Sequence, residues 1–236
     1  MMALRDDSQV AGLSRFFKTG KGEYGEGDKF LGIKVPVTRA LVKEIWKDCS
    51  LEELEQTVSS PWHEIRLCSL LILVQIFRHA KKDKALQQRC VDFYLSHTDY
   101  INNWDLVDLS CYEILGPWLI DKDRTVLYDF ARSGKTIWEQ RIAIVSCMAF
   151  IREGQTDDAI AIADILLHHP HDLLHKAVGW LLREVGKHDE PRLIAYLESP
   201  APGESHPRCR VMPRTTLRYA IEKFPAADRQ RYLAFP

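Results

Sequence analysis

Apolar residues recur along almost the whole chain at alternating three- and four-residue spacing, the period of an amphipathic helix. Residues 172–187 show it most cleanly: Leu174, Ala177, Val178, Leu181, Leu182 and Val185 fall on one face, wide enough to pack into a core. Lys176, Trp180, Arg183 and Lys187 form a narrow stripe on the opposite side. A tryptophan set among cations, facing away from the apolar side, suggests a surface for an anionic, stackable partner. The same periodicity predicts helices over residues 8–17, 37–48, 51–58, 62–80, 84–97, 102–115, 123–132, 136–152, 156–168, 172–187, 190–199, 213–223 and 227–233. Ser50 and Glu53 have the spacing of a capping box, and Pro36 suits a helix start. Alternation at the strand period is absent over any useful length. The predicted class is all-α.

A repeat underlies these helices. Arg66, Trp104, Arg141, Lys176 and Arg214 occupy comparable places near the starts of successive long helices, at steps of 38, 37, 35 and 38 residues. A period of roughly 35–47 residues with two helices per unit is that of HEAT and armadillo repeats. The expected architecture is a HEAT-like helical-repeat solenoid, with stacked antiparallel helix pairs whose second helices line a concave, basic face. Residues 1–236 would form one domain, in which an N-terminal helix and a glycine-rich loop (1–36) precede the repeats (37–236). The five repeated positions would share the inner wall. A solenoid of this kind makes its own site, and no long heptad pattern is visible, so a monomer is expected.

With 236 residues, 46% of them hydrophobic, the chain can bury a full core. No apolar run approaches the roughly 18–20 residues of a membrane span. Residues 1–9 are charged and lack the apolar stretch of a secretion signal. Cys49, Cys68, Cys90, Cys111, Cys147 and Cys209 lie far apart inside apolar helical patterns. They read as buried free thiols of a cytoplasmic protein, not as a disulfide frame or a zinc site. The formal net charge of −1 gives no global nucleic-acid signal. Residues 203–231, however, carry seven basic side chains, Arg214 and Arg218 among them, against three acidic ones. A nearly neutral protein with one basic face can hold a polyanion.

Candidate chemistry gathers in a few places. In Asn102-Asn103-Trp104-Asp105-Leu106-Val107-Asp108, Trp104 and Asp108 are four apart and neighbours on one helical face. A carboxylate beside an indole can stabilise a cation or orient a water; the structural alternative is that Asp105 or Asp108 caps a helix or pairs with Arg141. In a solenoid Trp104, Arg141, Lys176, Trp180 and Arg183 come onto one surface, which suits a nucleic-acid strand: cations hold phosphates and aromatics contact bases or sugars. Residues 20–27 hold four glycines, but no strand precedes them and no Lys-Ser/Thr follows, against a phosphate loop. A flexible loop is expected, in which Tyr24 and the neighbouring lysines are candidates for a clamp over a ligand. His168, His169, His171 and His175 span a helix end and a turn without a carboxylate at ligand spacing, and read as solvated turn residues. No metal or cofactor is expected.

These residues resemble the bacterial AlkD-type alkylpurine DNA glycosylases. Four stretches carry the resemblance: Phe30-Leu31-Gly32-Ile33, the Trp104–Asp108 motif, Trp138-Glu139-Gln140-Arg141, and the run from Lys176 to Glu184 that holds Trp180 and Arg183. The resemblance implies hydrolysis of the N-glycosidic bond of cationic alkylated purines, such as 3-methyladenine and 7-methylguanine, in duplex DNA as part of base excision repair. Asp108 would be the catalytic aspartate, with Trp104 and Trp180 as the indoles that contact the lesion's deoxyribose. Arg141 and Arg183 would hold the DNA backbone, and Arg66, Lys176, Lys187, Arg214, Arg218 and Tyr24 extend that expected interface. Members of the family are described as working without drawing the base into a pocket, unlike base-flipping glycosylases. The chain departs from the family pattern twice: Phe16 stands in place of a tyrosine, and Ala149 and Phe150 stand where a lysine is expected. The implied location is the cytoplasm, at the nucleoid. The rival reading is a HEAT-repeat scaffold that binds DNA or protein and cleaves nothing; another keeps the chemistry but shifts it to bulky adducts.

Overall fold

The helical period is realised throughout a computed structural model that describes residues 1–234; Phe235 and Pro236, the end of the expected 1–236 domain, lie outside the described residues. Among the described residues no strand forms, and the only extended pairings are two isolated bridges, Lys29 with Trp62 and Pro200 with Pro207. No described helix is long and apolar enough to cross a membrane. The chain separates into two compact units, Met1–Ile114 and the part that begins at Leu115.

In the first unit, α1 (Asp7–Phe16) starts at Asp6, whose carboxylate accepts the Ser8 amide at 3.0 Å. α2 (Val35–Ile45) has Pro36 in its first turn, and α3 (Leu51–Thr57) opens on the expected capping box of Ser50 and Glu53. α4 (His63–His79) is the axis: α2, α3, α5 (Lys84–Ser96) and α6 (Trp104–Asp108) all pack on it. Its run from Leu70 to Val74 is buried on every side, as expected of a helix that is hydrophobic all round. The single helix expected over 102–115 is two. α6 stops at Asp108, and α7 (Cys111–Leu119) begins after Leu109 and Ser110. The Ser110 hydroxyl is fully buried, turned back to the Leu106 carbonyl and sharing a 3.0 Å hydrogen bond with Tyr94. That buried pairing, across 16 residues, fixes the corner.

The second unit is built around two long helices. α9 (Ile137–Arg152) packs against α8 (Thr125–Ser133), α10 (Asp157–Ile165) and α11 (Asp172–His188). α11 meets α12 (Glu190–Glu198) and α14 (Arg214–Ala220) as well. The apolar face read from residues 172–187 is the buried one: Leu174, Ala177, Val178, Leu181, Leu182 and Val185 all face inward. Gly179 lets α14 come close, since a Cβ there would stand 2.5 Å from the Thr216 carbonyl oxygen. A one-turn helix not foreseen from the periodicity, α13 (Arg208–Val211), precedes α14, and α15 (Ala226–Leu233) follows it. Prolines at 207, 213 and 225 stand at the N-caps of α13, α14 and α15. The six cysteines are free, all but half-buried Cys49 sealed in the interior. Burial pushes the Cys68 and Cys90 thiols up to about 11.

Candidate functional site

The Trp104–Asp108 motif forms α6, which at five residues is too short to be stable alone. Its surroundings hold it. The Asn103 side chain accepts the Trp104 amide at 2.9 Å, and Leu106 and Val107 have no exposed surface. Asp105 is turned into the protein, 3% exposed. Trp104 and Asp108 stay half-buried, and both line one cavity of about 390 Å³. Its other walls come from α1, the start of α2, α4 and the segment between α1 and α2, and they are almost entirely apolar.

Aromatic rings build the floor beneath Trp104. Phe17 stacks on the indole with centroids 5.4 Å apart and planes 19° from parallel. On the other side Phe17 stacks on Phe30 at 5.1 Å and leans on the His63 imidazole at 4.7 Å. Phe16 meets the edge of Trp104 at 5.8 Å and is 61% exposed, at the mouth of the cavity. Such stacks fix ring orientation as well as burying area.

Under the rings lies a buried network of charge. His63 bonds Asp105 at 2.9 Å through Nε2 and Asp28 at 3.1 Å through Nδ1. Burial alone would push the imidazole pKa down; the Asp105 and Asp28 carboxylates outweigh it and raise the pKa to about 9. His63 is therefore an imidazolium at neutral pH, donating from both nitrogens. Arg66 donates to Asp28 at 2.7 Å, to the Asn102 side chain at 2.9 Å and to the Ser60 carbonyl at 2.8 Å. Burial raises the Asp28 pKa, yet the His63 bond and the Arg66 charge hold it below its usual value. Two cations facing two carboxylates leave the cluster close to neutral, the condition under which buried charge is tolerated. Beside it, the buried Glu64 carboxylate accepts the amides of Leu31, Gly32 and Ile33 at 2.9, 2.9 and 3.1 Å. The Phe-Leu-Gly-Ile stretch is thus a backbone cradle filled by the protein's own anion. Gly32 is in the left-handed region (φ +83°), and a Cβ there would collide with the Asp6 carbonyl at 1.9 Å.

The other expected interface residues divide into two kinds. Arg66 and Arg141 are interior. Arg66 is 3% exposed and tied to Asp28, which replaces its expected role as a hand for DNA with an internal one. Arg141, 5% exposed, donates to the Leu173 carbonyl at 2.5 Å at the start of α11. The remaining cations face outward. Lys176 pairs with Asp172 at 2.6 Å, Lys187 with Glu184 at 2.8 Å, and Arg183 with Glu184 and Glu222. Trp180 is half-buried between Lys176 and Arg183 on α11. In the basic C-terminal stretch, Arg214 donates to the Leu233 carbonyl at 2.6 Å, and Arg218 is exposed. Arg208 is a two-pronged partner of Asp164, with both contacts at 2.7 Å.

The glycine-rich loop is closed on itself rather than loose. The Glu23 and Glu26 carboxylates accept the Gly20 and Gly22 amides at 2.8 and 2.7 Å, and half-buried Tyr24 lies between them in sequence. The Gly20 and Gly22 amides thus meet anions the protein supplies, and those of Glu23, Gly25 and Glu26 meet backbone carbonyls. The histidines of 168–175 are structural as well. His171 caps α11 by accepting the Leu173 amide at 3.2 Å, His175 bonds the His169 carbonyl, and His168 meets Glu204 at 2.8 Å. Burial holds the His169 and His171 pKa values down. No group of three or more metal-ligating side chains gathers among the described residues.

His63 and Asp28 carry no local motif, which is why periodicity and spacing pass over them. One signal was available: in the Trp-Asp-Leu-Val-Asp motif, Asp105 sits beside the apolar positions, where a carboxylate requires a cationic partner.

Comparison with known proteins bears on the fold and the family. No curated protein matches the sequence significantly. A structure described as a predicted DNA alkylation repair enzyme from Enterococcus faecalis shares the fold, with a TM-score of 0.71 at 16% identity, over 94% of this chain and 97% of that one. The sequence matches the family model for DNA alkylation repair enzymes over residues 1–224, nearly the full length. The chain belongs to the DNA alkylation repair enzyme family.

Proposed function

We propose that this DNA repair protein is an N-glycosylase that releases cationic alkylated purines, such as 3-methyladenine and 7-methylguanine, from duplex DNA. The observation that carries this reading is the pairing of Trp104 and Asp108 at one aromatic-walled cavity in the first unit. A purine alkylated at N3 or N7 already bears positive charge. When its bond to C1′ breaks, the electron pair leaves with the base, which departs neutral and needs little help from a general acid. What forms is an oxocarbenium-like sugar, the kind of cation that carboxylates stabilise in glycosidases. The Asp108 carboxylate faces that charge and orients the water that adds to C1′ and then loses its proton. The Trp104 face supplies cation–π attraction. Because Phe17 backs the indole, the ring cannot swing away as the charge develops.

On this reading the second unit contributes DNA contacts through Trp180, Lys176, Arg183 and Lys187 on α11, with Arg214 and Arg218 on α14. Each outward cation already has an acidic neighbour or stands exposed. Binding DNA therefore exchanges protein carboxylates for phosphates and is strongly salt-dependent. The interior placement of Arg141 against the Leu173 carbonyl gives it the task of holding the start of α11. No cofactor enters this chemistry.

The test is chemical. Incubation of the protein with methylated duplex DNA should release free 3-methyladenine or 7-methylguanine and leave alkali-labile abasic sites. Tight duplex binding without base release, by the folded protein, would replace the enzyme with a scaffold.

A further inference from the structure

Resting on the glycosylase reading, we infer that His63 is a positioning residue of the active site, one that sets both Trp104 and Asp108 through a buried bridge between Asp28 and Asp105. Two independent contacts carry this. The first is the 2.9 Å bond from His63 Nε2 to Asp105. Asp105 belongs to the same five-residue helix as Trp104 and Asp108, so anchoring its side chain fixes the rotation of α6 about its own axis. That rotation decides where the indole and the Asp108 carboxylate point. The second contact runs through the rings: the imidazole lies 4.7 Å from Phe17, which stacks on Trp104. One side chain thus holds the helix from within and supports the indole from beneath.

The bridge also ties the site to the end of the glycine-rich loop. Asp28 follows Gly27 and receives His63 Nδ1 on one oxygen and Arg66 on the other. The charged groups facing His63 are Asp105 from α6 and Asp28 from the loop, with Arg66 behind Asp28 and Glu64 next to it on α4. Only an imidazolium can donate to both carboxylates at once. A neutral ring gives up one bond and leaves a carboxylate without its proton partner, so α6 loses its anchor or the loop loses its tie. Misplacement of catalytic groups by about an ångström costs roughly a hundredfold in rate.

The experiment is single-turnover release of methylated base from duplex DNA by the wild type, His63→Gln and Asp28→Asn, across pH 6 to 10. The wild type should lose rate on the alkaline side as His63 gives up its proton near pH 9. His63→Gln should be slower at pH 7 by about ten- to a hundredfold, with DNA affinity unchanged and no alkaline limb. Asp28→Asn removes one of the carboxylates that hold the proton, so its alkaline limb should move to lower pH. Thermal unfolding of each variant separates a shifted site from an unfolded protein; if His63→Gln does not fold, the displaced limb of Asp28→Asn carries the test. Wild-type rates in folded His63→Gln, or an alkaline limb unmoved in Asp28→Asn, would overturn the positioning role. An inactive wild type would instead defeat the glycosylase reading on which it rests.

Discussion

Trp104 and Trp180 each stand on a helix among charged residues, yet the two settings are built in opposite ways. Around Trp104 the charges are inside: His63, Arg66, Asp28 and Asp105 pair with one another under a stack of rings. Around Trp180 they lie towards the surface: Lys176 and Lys187 pair with Asp172 and Glu184, and half-buried Arg183 pairs with Glu184 and Glu222. Buried pairs are rigid and costly to break, whereas exposed pairs contribute little and exchange readily. The first region is made to hold a geometry, and the second to trade its partners. On the proposed function, that division is one between a group that acts on a bond and groups that grip a backbone.

Substitutions should separate the two regions by the size of their effect on folding. The largest is expected at Glu64, the acceptor for three amides of the Phe-Leu-Gly-Ile cradle. Glu64→Ala leaves those amides without a partner and should cost about 3–5 kcal/mol in urea unfolding. A loss below about 1 kcal/mol would mean that water replaces the carboxylate. Gly32→Ala, facing the Asp6 carbonyl at positive φ, should cost on the order of 2–3 kcal/mol by the same measurement.

The pH dependence of stability should also come from the first region. His63 has its folded pKa raised to about 9, so its contribution is complete below its ordinary value of 6.5 and lost as pH rises towards 9. Asp28 has its folded pKa lowered, so its contribution is present above the ordinary carboxylate value of 3.8 and lost as pH falls through the folded value. Urea midpoints should therefore decline from pH 6.5 to 9 in the wild type and flatten over that interval in His63→Gln. An unchanged slope in the variant would mean that other groups govern the alkaline decline.

The second region should respond on DNA and hardly on folding. Arg183→Ala with Lys187→Ala should change stability by less than about 1 kcal/mol. It should weaken duplex binding and reduce the slope of log affinity against log salt by about 1 per cation removed. An unchanged salt slope would show that neither cation meets a phosphate. The smallest effect is expected at Lys176→Gln, which removes one i,i+4 pair worth about 0.3–0.5 kcal/mol.

The sequence made most of the second region legible, because its burial pattern is local; the Arg183–Glu222 pair, 39 residues apart, is the part that was not. The spacing of Leu174 through Val185 on α11 predicts which face is buried, and Lys176, Trp180, Arg183 and Lys187 stay off that face. The first region was half legible. Trp104 and Asp108, four apart, could be read as neighbours; the charge beneath them could not. Its bonds join residues 35, 38 and 42 apart in sequence, and no periodicity records such distances. The same limit explains Arg66, which shares the repeated position of Lys176 and looked equally free for DNA. Only the fold brings Asp28 to it. The end of α6 belongs here too, since Leu109 and Ser110 continue an apolar helical pattern until Tyr94 bonds the Ser110 hydroxyl.

The most direct measurement is single-turnover release of 7-methylguanine from methylated duplex DNA by the wild type and by Asp108→Asn, with thermal unfolding and duplex affinity measured on both. A carboxylate that stabilises the developing sugar cation should be worth about a hundred- to a thousandfold in rate. The expected result is a folded Asp108→Asn protein that binds the duplex as the wild type does and releases base slower by that factor. Equal release by the two proteins would contradict the assignment of Asp108 as the group that acts on the glycosidic bond.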